Sequence, residues 1–183
     1  MNRRKSILSI VLATCSMVIL LCGACGAQKT GDAKAPQTQA TPRTGFTAAD
    51  VAKLKWIEGT WRGTGETQPP FFERYRLDGD SALVVESFED ESLAKVSDTS
   101  RFELREGKFG NWAGERHSAA SEITADYVQF VPAGGPGNSF RFERTADPNT
   151  WKAVLDWPAR NDKPARQVIY TMVRYEKVAA PPK

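Results

Sequence analysis

The chain has 183 residues, 25 of them basic and 22 acidic, for a formal net charge of +3, and 40% are hydrophobic. That length suits one domain with flanking segments. Arg3, Arg4 and Lys5 supply the whole basic surplus, so the chain beyond them carries 22 charges of each sign and no basic field suited to nucleic acid. Cys15, Cys22 and Cys25 are its three cysteines, so a domain further along has no disulfide framework and no cysteine metal site.

The chain opens with Asn2-Arg3-Arg4-Lys5 and then runs apolar and uncharged from Ile7 to Leu21. That run falls short of the ~20 residues a permanent membrane-spanning helix needs, and the layout is that of a cleaved secretory signal. Leu21-Cys22-Gly23-Ala24-Cys25 is similar to the cleavage site of bacterial lipoproteins. The expectation is a signal over residues 1–24 and lipidation of Cys25, which anchors the protein in the cell envelope. A plain secretory cut near Ala24 or Ala27 is the alternative. Gly26 stands where an Asp favours inner-membrane retention, which points to the outer membrane and a domain facing the periplasm.

Residues 25–46 are expected to form a flexible tether. Gly26 to Gly45 contains no aromatic or large aliphatic side chain and is rich in Ala, Gln, Thr, Lys and Pro. Such a stretch buries too little apolar surface to offset the entropy of ordering it. Twenty residues of this kind span about 25 Å as a coil and roughly 70 Å when stretched. The last five residues, 179–183, are read as a disordered tail, which leaves one domain over 47–178.

That domain starts with a short helix. Thr47 is a plausible N-cap, Asp50 completes a capping box, and Val51, Leu54 and Ile57 share a face. Glu58-Gly59 ends the helix, and the apolar period then switches to two. Strands are predicted over 60–66, 71–77, 82–89, 101–105, 108–115, 123–131, 140–143, 151–157 and 166–177. Turn residues separate them, among them Asp78-Gly79-Asp80, Glu106-Gly107 and Asp147-Pro148-Asn149. Short strands at this spacing, with no helices alternating between them, predict an all-β antiparallel barrel or sandwich.

Leu54-Lys55-Trp56-Ile57-Glu58-Gly59-Thr60-Trp61-Arg62-Gly63 resembles the entry to a lipocalin-like (calycin) barrel, where a short helix runs into G-x-W on the first strand. Tyr170 to Tyr175 resembles the closing strand of such barrels. The resemblance implies an up-and-down barrel of about 8–10 strands, with Trp61 plugging one end and Arg174 stacked over it. Gly59-Thr60-Trp61-Arg62-Gly63-Thr64-Gly65 is also similar to the signature of nitrobindins, barrels that bind haem through a His near the C-terminal end. This chain's single His is His117, far from that place, so no haem and no other cofactor is expected.

No catalytic residue is expected. His117 has Ser118 and Glu115 as sequence neighbours, but adjacency is not triad geometry, and a G-x-S-x-G elbow is lacking. Glu89-Asp90-Glu91 reads as a solvated loop rather than a metal site. Glu73 is more informative. It shares a strand face with Phe71, Tyr75 and Leu77, so an inward register puts a carboxylate inside the barrel, whereas the inverted register leaves it paired on the surface. A buried carboxylate needs partners and would orient a ligand. Glu73, Tyr75, Trp112, Phe130, Phe140, Trp151 and Tyr170 are therefore the candidate ligand-binding residues.

The expected function is binding of a small apolar ligand in a barrel cavity near 300 Å³ or larger. The alternative is a protein-interaction or structural module of an envelope complex.

Overall fold

The computed structural model describes residues 40–114, 117–160 and 163–176. The signal segment, Cys25 and the tail at 179–183 lie outside these residues. Among them a short helix α1 (Ala48–Ala52) runs into a 3₁₀ turn (Lys53–Ile57) and then into ten strands. These are β1 (Gly59–Thr64), β2 (Phe71–Asp78), β3 (Ala82–Phe88), β4 (Val96–Arg105), β5 (Lys108–Asn111), β6 (Ser118–Ile123), β7 (Tyr127–Pro132), β8 (Ser139–Arg144), β9 (Thr150–Trp157) and β10 (Arg166–Arg174). Each strand pairs antiparallel with the next, and β10 returns to pair with β1, which closes the barrel. Closure leaves no strand edge unpaired, which removes the usual template for aggregation.

Strict alternation builds the interior. Phe140 and Phe142 on β8, and Trp151, Ala153 and Leu155 on β9, are buried at every second position. Tyr75, Phe102, Phe109, Phe130, Phe140, Phe142 and Trp151 interlock as an aromatic core, with neighbouring ring centroids 4.7–6.4 Å apart. Edge-to-face and offset pairs of this kind each add about 0.5–1.5 kcal/mol beyond the area they bury.

The strand directions give the barrel two unlike ends. The helical entry covers one of them, where Val51, Leu54 and Ile57 are at most 1% exposed. Asp50 fastens this cap by accepting from the Thr47 backbone N–H and hydroxyl, both at 3.0 Å. The ordered chain begins earlier than the expected boundary at Thr47. Arg43 N–H donates to the Ala120 carbonyl, Phe46 N–H donates to the Gly107 carbonyl, and Phe46 is buried. Residues 43 and 46 of the expected tether are thus bonded to the barrel, and Phe46 finds an apolar site there that local composition does not reveal.

β6 was not expected. Its inward positions run from Ser118 through the small Ala120 and, past a register shift, to Ile123, so it lacks the large-apolar alternation of its neighbours. The expected strand 123–131 is in fact the end of β6, a turn, and β7. Thr124 holds that turn by accepting from the Asp126 and Tyr127 amides through its hydroxyl. The β4–β5 hairpin turns on Glu106-Gly107, with φ of 49° and 73°, the pair of positive angles that a two-residue hairpin loop requires.

Candidate functional site

The end opposite the helix is polar. Glu73, Ser87, Asn111 and Asn138 are the buried polar side chains of the described residues, at 0, 4, 7 and 8% exposure. β2 and β8 start at that end and β3 and β5 finish there; Ser87, Asn111 and Asn138 lie at or next to those strand ends, and Glu73 lies deeper, level with Trp61. Glu73 faces inward and is in register with Trp61 on one side and Ser87 on the other. Its carboxylate accepts from the Tyr75 hydroxyl at 2.7 Å and from the Ser87 hydroxyl at 3.2 Å. Burial, reinforced by the charge and hydrogen bond of Glu73, pushes the Tyr75 phenol well above its ordinary pKa. Tyr170 is raised as well, first by burial, with Arg166 opposing and Glu73 adding to the shift. Its ring meets Phe71 edge-on at 5.5 Å.

Asn138 sits two residues before the inward-facing Phe140, and its Nδ2 is buried with no hydrogen-bond acceptor among the described residues. A buried donor left unpaired costs about 1–3 kcal/mol. The barrel interior therefore holds a sealed carboxylate with two hydroxyls bonded to it and, separately, a spare amide donor before β8. A fold built for stability alone would have apolar groups there.

The helix-plugged end is held differently. The Arg174 guanidinium lies 4.3 Å from the centroid of the Trp61 ring, and its Nη1 donates to the Glu58 carbonyl at 3.3 Å. Trp61 Nε1 donates to the Ile57 carbonyl at 2.7 Å. Gly59 makes this possible. It has φ +131°, and a β-carbon there would run into Arg174 Nη1.

The other candidate residues divide. Tyr75 and Tyr170 flank Glu73 as expected of an inward register. Phe130, Phe140 and Trp151 are 0, 1 and 0% exposed. A cavity roomy enough for a ligand would give its walls accessible surface, so these three are packed core and no space opens between them. Trp112 does not line the interior. Asn111 takes the inward position, and Trp112 folds over the outer face at Gly110, donating from Nε1 to the Glu103 carbonyl. The missing side chain at Gly110 makes the room for it. His117 stands beside Trp112, its ring centroid 5.9 Å away, and Nε2 donates to the Gly114 carbonyl at 2.9 Å. No nucleophile is held against it. No group of three or more His, Cys, Asp or Glu is placed to hold a metal among the described residues.

Sequence reasoning missed Ser87 and Asn138. Ser87 was within reach, since it follows Leu83 and Val85 at alternate positions on a predicted strand. Asn138 lay in a glycine-rich loop with no periodicity to orient it.

The architecture is thus a closed ten-strand antiparallel barrel with one end plugged by the helical entry. No family model and no curated protein matches the chain. Two solved structures are distantly similar. One is a DUF3598-family protein of unknown function from Nostoc punctiforme, at 12% identity and a TM-score of 0.45, matched over 73% of this chain and 51% of that one. The chain spans about half the length of that relative. The other is EF1p2_mFAP2b bound to DFHBI, at 11% identity and a TM-score of 0.34, matched over 70% of this chain and all of that one.

Proposed function

We propose that this is a lipid-anchored envelope protein of the lipocalin-like class, with a binding rather than a catalytic role, which takes a small molecule at the polar end of its barrel. Its basic head, apolar run and Cys25 support the anchor, and the absence of an Asp after Cys25 supports the outer membrane. The observation that carries the binding reading is the buried polar groups of an otherwise aromatic interior, the Glu73 carboxylate and, before β8, the unpaired Asn138 donor. Glu73 is held by Tyr75 and Ser87, whereas a buried donor left unpaired costs stability, and a ligand acceptor for Asn138 would recover it. The packed aromatic core argues for an amphipathic ligand seated at the mouth rather than an apolar one in a deep cavity.

The test is native mass spectrometry with solvent extraction on the full chain purified from its own host. A stoichiometric small molecule, lost in Glu73→Gln, is the expected result. An apo mass for the wild type would overturn the binding reading. It would leave the interaction-module reading, which the solid core favours, to be pursued by cross-linking in intact envelopes.

A further inference from the structure

A second site lies at the opposite end of the barrel. Lys55 and Trp56 of the 3₁₀ turn, Arg144 at the end of β8, Pro148, Thr150 at the start of β9 and Arg174 at the end of β10 surround an open cleft of about 200 Å³. Three cations from three separate elements converge on it, and no acid lines it. None of the three makes an ion pair among the described residues. Two neighbouring acids are turned to backbone amides: Glu58 accepts from Leu77 N–H, and Asp147 accepts from Asn149 N–H.

Like charges gathered without a counter-charge repel one another, and an anion between them converts that repulsion into attraction. Arg174 is already oriented by Trp61 and by its bond to the Glu58 carbonyl. A guanidinium carries five N–H donors, so this arrangement leaves donors for a ligand oxygen. Trp56 lines the cleft, and its Nε1–H is buried without an acceptor. The cleft is smaller than the ~300 Å³ at which pockets for drug-sized ligands begin, yet it is ample for a phosphate group.

We infer that this cleft is a phosphate-binding site, gripped by Lys55, Arg144 and Arg174, and independent of the ligand site at the polar end. The phosphate would belong either to a soluble ester or to a lipid headgroup. The residues just before the helix, Arg43 to Phe46, run past β6 to the β4–β5 turn at this same end.

The test titrates the full chain with inorganic phosphate at constant ionic strength, reading tryptophan fluorescence and the NMR signals of the Trp56 indole and the Arg174 guanidinium. A saturable response is expected, weakened about tenfold or more in a K55A/R144A variant through loss of two charge-assisted contacts. Both side chains are exposed and make no ion pair, so the unfolding midpoint of that variant should match the wild type. Flotation with phosphatidylglycerol vesicles against phosphatidylcholine vesicles then separates the sources. Phosphatidylglycerol binding that the double variant loses assigns a lipid headgroup, and phosphate binding without vesicle binding assigns a soluble ester. No saturable response to phosphate, or a response the double variant keeps in full, overturns the site.

Discussion

Arg174 and Trp61 are direct cross-strand partners, in register on β10 and β1, and the guanidinium carbon stands over the indole 4.3 Å from its centroid. The contact therefore sits on the seam that closes the barrel. Arg174→Met keeps much of the apolar stem but removes the cation and the bond to the Glu58 carbonyl. We expect a loss of roughly 1–3 kcal/mol, combining about 0.5–2 for the stacked cation with about 1 for the hydrogen bond. Urea unfolding monitored by tryptophan fluorescence measures it. No change in midpoint would mean that strand pairing alone holds the seam.

Glu73 and Tyr75 make a pH prediction. The Tyr75 phenol is held above its ordinary value in the folded protein, whereas an unfolded tyrosine ionises near pH ~10. A raised folded pKa gives stability that is complete below the unfolded value and is lost as pH rises through it. The barrel should therefore weaken above about pH 10, with the Tyr75 share of the phenolate absorbance appearing together with unfolding. Glu73→Gln removes the charge that opposes ionisation, so the Tyr75 titration should move down while burial keeps it above the ordinary value. A spectrophotometric titration of both proteins checks the shift and its direction.

Gly110 is a steric requirement. A β-carbon there would overlap the Ser118 carbonyl, a backbone atom of the paired strand, and would come within 2.9 Å of Ala119 Cα. β5 and β6 pair only through Gly110–Ala119 and Asn111–Ser118, so the seam has no further rung to share the strain. Gly110→Ala should cost about 1–3 kcal/mol by overpacking. Hydrogen exchange should show the loss concentrated in the amides of β5 and β6.

Asp50 reports on the helical plug. Its hydrogen bond from Lys53, with further ones from Thr47, holds its carboxyl at about 2. A depressed folded pKa gives stability present above the unfolded value and lost as pH falls toward the folded one. Asp50→Asn should therefore lose part of its advantage at neutral pH and be less sensitive than wild type to acid between about pH 4 and 2. Carboxyl chemical shifts followed through an acid titration give the pKa directly, and a value near the ordinary Asp range would contradict the hydrogen-bonded cap.

The polar site was half legible. Strand parity alone put Glu73, Tyr75, Phe71 and Leu77 on one face, because side chains of a strand alternate with a period of two. Parity does not say which face is inside. The neighbouring strands decide that: Trp61 and Ser87 pair with Glu73, and both are long-range partners. Trp112 shows the limit from the other side, since its size suggested lining and only the empty space at Gly110 drew it outward.

The sequence by itself determined the all-β class, the helical entry into G-x-W and most of the strands, because alternation, caps and turn residues are local signals written within a few positions. The tertiary structure decided what those signals cannot carry. It set the closure of β10 on β1, the packed interior, the partners of Glu73 and the meeting of Lys55, Arg144 and Arg174 around one cleft. Each of these depends on residues brought together from distant parts of the chain, and such contacts are fixed by the register of the closed sheet rather than by any local pattern.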